Sequence, residues 1–121
     1  MIKSKSVVIT GASKGIGRAA AVRLAQSGWS VIGVARTAPT EFPGEFHAVD
    51  LADSAATQAL AESFAQRRDI VGIVNNLGLA KQENFGTVDP ATFALVMDLN
   101  VRPALQLTQA LLPAMRASGF G

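Results

Sequence analysis

The chain has 121 residues, of which 49% are hydrophobic, enough for one domain with a sizeable core. Its 11 Lys and Arg against 9 Asp and Glu give a net charge of +2; these charges are scattered, with Arg67-Arg68 the one adjacent basic pair, which excludes a basic stripe of the kind that grips nucleic acid. The absence of cysteine excludes disulfides, cysteine-based metal sites and a cysteine nucleophile, and no apolar run is long enough to span a membrane.

In chain order, Met1-Ile2-Lys3-Ser4-Lys5 leads directly into a strand and leaves no room for a signal peptide, so a cytoplasmic location is expected. Val7-Val8-Ile9 reads as the first strand. Thr10-Gly11-Ala12-Ser13-Lys14-Gly15-Ile16-Gly17 follows at once, then an amphipathic stretch to Gln26. This is strand, glycine turn, helix, with Ile16, Ala20 and Leu24 on one helical face and Gly28 as the stop. Glycine adopts backbone angles that other residues resist and lets a ligand approach the main chain. Free N–H groups at the start of the helix then favour an anion, and the pyrophosphate of a dinucleotide fits. A tight turn that binds nothing is the plain alternative. A Walker loop from Gly11 is excluded, because it requires glycine at position 16 and lysine at position 17, where the chain has Ile16 and Gly17.

Val31 to Val34 is the second strand. Thr37 to Gly44 carries two prolines and a glycine and is loop, so a helix between strands two and three is short or missing. Phe46 to Val49 is the third strand; it contains the single His47, which has no cluster of metal-ligating neighbours and reads as structural. Asp53 or Ser54 caps a helix to about Gln66, with Ala56, Leu60 and Phe64 on one side. Ile70 to Val74 is a fourth strand, apolar on both faces. Asn75-Asn76-Leu77-Gly78 reads as a turn, followed by loop to Val88. Asp89-Pro90 starts a long apolar helix that Gly119 ends, with Pro103 and Pro113 expected to bend or break it.

Strands alternating with helices imply a parallel sheet covered on both faces, an α/β fold, with the glycine turn at the C-terminal end of the first strand, where ligands bind in such sheets. At the end of the second strand the chain has Ala35 and Arg36, with no carboxylate from Gly28 to Thr40. A carboxylate there would hold ribose hydroxyls and repel a 2′-phosphate, whereas a guanidinium holds a phosphate by charge-assisted hydrogen bonds. Lys14 would add a second positive charge and Ser13 a hydroxyl. The expected cofactor is therefore NADP(H); ordinary surface charges are the alternative for Arg36 and Lys14.

Four elements in order resemble the short-chain dehydrogenases/reductases of the classical type: the glycine loop at 10–17, Asp50-Leu51 after strand three, Asn75-Asn76-Leu77-Gly78 after strand four, and Asn100 in the last helix. The resemblance covers the whole chain and implies a doubly wound, Rossmann-type sheet of order 3-2-1-4. It implies that the main-chain amides from Gly11 to Gly17, those of Gly15 and Ile16 among them, hold the diphosphate, that Ser13 and Lys14 also contact the cofactor, and that Asp50, assisted by the Leu51 backbone, meets the adenine amine. Asn76, Leu77 and Gly78 would line the cofactor ribose. Leu77 departs from the family, which usually has alanine there. Asn100 would be the one catalytic residue present, supporting a water-linked proton relay.

In the resembled family a tyrosine is the acid/base, a lysine tunes its pKa and a serine orients the substrate oxygen. This chain has no tyrosine, its last lysine is Lys81, and Ser118 is its only serine after Asn100. Ile70 to Val74 also lacks the charge, proline or polar alternation that protects a sheet edge, and reads as a central strand. Residues 1–121 are therefore expected to be the N-terminal portion of a single dinucleotide-binding domain, from an enzyme that reduces a carbonyl or oxidises a secondary alcohol and is inactive as this piece alone. A non-catalytic dinucleotide-binding module and a degenerate family member are the alternatives. No nucleic-acid or membrane partner is expected. The excess of apolar residues on the last helix would be accounted for by a homo-oligomer, since this helix helps to form a dimer interface in the family.

Overall fold

Runs of β-branched residues form the centre of the sheet in the computed structural model, which describes residues 5–121. Residues 1–4, read as leading into the first strand, lie outside the described residues. Strands β1 (Ser6–Thr10), β2 (Ser30–Ala35), β3 (Gly44–Ala48) and β4 (Ile70–Val74) form one parallel sheet of order β3-β2-β1-β4. Val7 pairs with Val31, Val8 with Ile32 and Ile9 with Gly33. Alternation along each strand divides the core in two. Val7, Ile9 and Val31 face helix α1 (Gly15–Gln26), while Val8, Ile32 and Val34 face α2 (Ser54–Ala65) and α3 (Pro90–Ser118). On the second face Leu60, Phe64, Leu107 and Leu111 are buried with Ile70, each such side chain contributing about 1.5–3 kcal/mol relative to exposure.

No helix connects β2 to β3. The rings of Phe42 and Phe46 meet edge to face at 5.1 Å and pack on the core cluster that faces α1. Gly33 makes room for them: a Cβ there would stand 2.5 Å from Phe42 Cζ and 2.8 Å from Phe46 Cδ2. Strand β3 runs Gly44–Ala48 rather than from Phe46 to Val49. It begins early because Gly44, lacking a side chain, lies directly against the Val31 carbonyl.

Asp53 caps α2, its Oδ1 accepting the Ala56 N–H at 3.0 Å. Asp89 caps α3, accepting the Ala91 N–H at 3.2 Å, with Pro90 in the first turn. The helix α3 is neither broken at Pro103 nor at Pro113; it runs 29 residues to Gly119, which ends it at φ 71°. Each proline removes one N–H but keeps a helical φ. The buried faces differ in detail from the periodic reading. Ile16 is 82% exposed, and Gly17 and Ala21 are buried instead. In α2, Thr57 and Ala61 are buried with Leu60 and Phe64, and Ala56 is half-buried. Strand β4 is the outermost strand here, with Val71 to Ile73 half-buried and Val74 exposed, and is not covered on both faces as its composition suggests.

At the N-terminal end of the sheet a charged network joins distant segments. Arg67 donates to Asp69 Oδ1 at 3.0 Å and Oδ2 at 2.8 Å, and to Glu45 Oε2 at 2.7 Å. Ser6 Oγ donates to Asp69 Oδ2 at 2.5 Å, and His47 Nε2 lies 2.5 Å from Glu45 Oε2. The Arg67 hydrogen bonds, opposed by partial burial and aided by Ser6, pull the Asp69 carboxyl down to about 2. Burial pushes Glu45 up, but Arg67 and His47 together outweigh it and hold that carboxyl below its ordinary range.

Candidate functional site

The site lies at the opposite, C-terminal end of the sheet, where β1 runs into the glycine loop. Thr10 is buried and its Oγ1 accepts two backbone N–H groups, from Asn76 at 3.1 Å and Leu77 at 3.0 Å. Asn76 Nδ2 donates to the Gly11 carbonyl at 3.2 Å. These bonds clasp the glycine loop to the segment after β4. Gly11 and Gly15 have φ of 64° and 59°, a region that disfavours side chains. A Cβ on Gly17 would collide with the Gly11 carbonyl and stand 2.5 Å from Asn76 Nδ2, so α1 can begin this close to the loop only with glycine there.

Helix α1 differs from the other two at its start. Lys14 occupies the cap position in extended conformation, and no side chain caps the helix. Its first-turn N–H groups are therefore left for another acceptor, at the positive end of the helix dipole. Nothing lies within 4 Å of where a Gly15 Cβ would be, so the space above this turn is open. A glycine cradle that side chains would fill, beside uncapped amides, fits a diphosphate.

The turn opens into a crevice of about 830 Å³. Gly11, Ser13, Lys14, Gly15 and Ile16 form one wall, and Arg36, with Ala35 and Thr37, lies at the end of β2. Asp50 and Leu51, flanked by Val49 and Ala52, come from the end of β3, and Asn76, Leu77 and Gly78 from the end of β4. Leu79 and Lys81 continue that wall, and Leu95 and Leu99 of α3 complete the lining. Eleven of the thirteen residues singled out from the sequence thus share one cavity, while Gly17 and Asn100 do not line it. Gly17 is buried behind the loop. Asn100 acts as a brace: its Oδ1 accepts the Leu79 N–H at 3.0 Å, and its Nδ2 donates to the Leu79 carbonyl at 2.9 Å and the Val96 carbonyl at 2.7 Å. Gly78 packs under it, since a Cβ there would stand 3.0 Å from Asn100 Oδ1.

The lining carries Lys14, Arg36 and Lys81 against Asp50. Among the described residues none of the three cations is in an ion pair. Asp50 Oδ1 accepts the Ala52 N–H at 3.0 Å, while Asp53 serves as the helix cap. The segment Asn75–Gly78 is irregular rather than a turn, and neither Asn76 nor Gly78 takes a positive φ. Sequence reading missed Thr10 as the clasp, although it heads the glycine motif. It also missed Thr37, Lys81, Leu95 and Leu99, of which Leu99 could have been found as the neighbour of Asn100.

A family model described as short chain dehydrogenase matches residues 5–121. Sulfoacetaldehyde reductase 2 of Chromohalobacter salexigens is 34% identical over 130 residues, covering 98% of this chain and 52% of its own. A metagenomic short-chain oxidoreductase in complex with NADP is 30% identical with a TM-score of 0.83, over 97% of this chain and 59% of that one. The NADH-dependent reductase A1-R′ complexed with NAD is 34% identical with a TM-score of 0.82, over 97% and 54%. The chain spans about half the length of the curated relatives it matches. Among the described residues no helix is long and apolar enough to cross a membrane.

Proposed function

The chain belongs to the short chain dehydrogenase family, and from this premise we propose that it is the cofactor-holding part of an NADP(H)-dependent oxidoreductase acting on a carbonyl or secondary alcohol. A nicotinamide dinucleotide is supported by structural neighbours that carry NAD or NADP. The choice of NADP(H) rests on one observation: Arg36 stands at the end of β2, in the same crevice as Lys14, and the first carboxylate after it, Glu41, is not part of the lining. Arg36 and Lys14, with the Ser13 hydroxyl, would hold a 2′-phosphate, and the amides at the start of α1 the diphosphate. Asp50 would accept from the adenine amine, and Leu77 and Gly78 would border the ribose. When bound, the nicotinamide supplies or accepts the hydride.

The 121 residues contain no tyrosine, so we propose that they bind the cofactor without turning over substrate by themselves. Relatives act on aldehyde or alcohol compounds such as sulfoacetaldehyde and serine; a small carbonyl or alcohol is the proposed substrate class.

Helix α3 leaves Phe93, Met97, Val101 and Leu105 exposed at four-residue spacing, one continuous apolar stripe. Such a stripe is proposed to pack against a second copy of the protein; a strictly monomeric species in sedimentation equilibrium at high concentration would overturn this.

Titrating the protein with NADPH and NADH tests the cofactor reading. NADPH is expected to bind more tightly, and Arg36→Ala to weaken it by at least about tenfold, because each charge-assisted hydrogen bond contributes about 1.5–3 kcal/mol. NADH affinity should barely change. Tighter NADH binding by the wild type would refute the choice of NADP(H).

A further inference from the structure

One polar network at this end of the molecule has no part in the cofactor contacts described above. Asp98, Arg102 and Gln106 form a ladder along one face of α3, four residues apart. Arg102 donates through Nε to Asp98 Oδ1 at 2.8 Å and through Nη1 to Gln106 Oε1 at 2.6 Å. Its Nη2 reaches Asp98 Oδ2 at 2.9 Å, the Leu51 carbonyl at 3.0 Å and the Ala52 carbonyl at 3.1 Å. Gln106 in turn donates to the Ser54 carbonyl and to Gln58 Oε1, both at 3.2 Å. The Arg102 side chain is only 21% exposed.

The direction of these bonds is informative. Leu51 and Ala52 both line the crevice, and Arg102 does not. The guanidinium therefore grips, from behind, the turn whose front faces the ligand. The same turn is tied on its own side: Asp50 Oδ1 accepts the Ala52 N–H, and the Asp50 carbonyl accepts the Asp53 N–H at 3.0 Å. Helix packing between α2 and α3 is already provided by Leu60, Phe64, Leu107 and Leu111. A planar donor fork aimed at two adjacent carbonyls adds orientation to that packing, which a lysine point charge would supply poorly.

We propose that Arg102 is a positioning residue: it fixes the turn Asp50–Ala52 so that the Asp50 carboxylate faces the exocyclic amine of the cofactor's purine. This rests on the reading of the crevice as a dinucleotide site with Asp50 at the adenine. A consequence is that α3, whose exposed apolar stripe is the proposed contact with a second copy, grips the turn after β3 through the Arg102 guanidinium.

The test uses NADPH and its deamino analogue, which lacks the exocyclic amine, each titrated against wild-type protein, Arg102→Ala, Arg102→Gln and Arg102→Lys. Wild type is expected to prefer NADPH by about tenfold, the worth of one hydrogen bond to a charged group. In Arg102→Ala the preference falls below about threefold. Arg102→Gln and Arg102→Lys, each keeping a donor toward the carbonyls, restore part of it. A merely structural role would lower affinity for both ligands and leave their ratio unchanged, so an unchanged ratio overturns the proposal. If the alanine variant does not fold, the glutamine variant decides by the same ratio. Wild type that binds neither ligand overturns the cofactor reading itself, and wild type that binds both equally overturns the Asp50 contact on which the proposal stands.

Discussion

The two ends of the sheet answer the same problem in opposite ways. At the N-terminal end, polar groups from three segments are paired off: Arg67 with Asp69 and Glu45, Ser6 with Asp69. At the C-terminal end Lys14, Arg36 and Lys81 share a crevice with one carboxylate, and α1, which starts there, has no side-chain cap. Polar groups satisfied by the protein hold the fold together; polar groups left without a protein partner are available to a ligand. Among the described residues no buried side-chain polar atom lacks a partner.

The contrast can be broken most severely at Gly17. Alanine there drives a methyl group against the Gly11 carbonyl and Asn76 Nδ2, and overpacking of this kind costs about 1–3 kcal/mol. Gly17→Ala is expected to reduce NADPH affinity by up to about a hundredfold, measured by fluorescence titration, and to lower the melting temperature. Retained affinity would show that the cradle is not where the diphosphate sits.

A smaller effect is expected at the other end. The folded-state pKa of Asp69, about 2, lies below its ordinary 3.8, so its ionised form stabilises the fold. That stabilisation is fully present above about pH 5 and is lost as pH falls through 3.8 towards 2. Asp69→Asn should cost about 1 kcal/mol at pH 7, discounted for partial exposure, and flatten the acid limb of the stability curve. NADPH affinity at pH 7 should stay within about twofold of wild type. A large loss of affinity in this variant would mean that the two ends are coupled.

The glycine loop was legible because its spacing, the preceding strand and the following helix all point the same way. The parallel sheet was legible from the alternation of elements, and its strand order only through the resemblance carried by the glycine loop. Ile16 was misplaced because a helical wheel treats the first turn like the rest, whereas the first turn of α1 faces the crevice. Asn100 was found, but its brace to Leu79 joins residues 21 apart across a loop without periodicity. The Ser6–Asp69 bond spans 63 positions and leaves no local trace. Nor does Arg102, whose carbonyl partners lie 50 and 51 residues earlier.

The missing crossover helix between β2 and β3 has a bearing on how such a protein could change. Residues 36–43 are held by two aromatic rings and by Arg18, which donates to the Glu41 carbonyl at 2.7 Å. Doubling a flexible connection costs only about 0.6 kcal/mol. Insertions between Arg36 and Phe42 would leave the sheet and its helices in place while altering the neighbourhood of Arg36. If Arg36 selects the coenzyme as proposed, that choice is carried by a residue bordering a connection whose length can change at low cost.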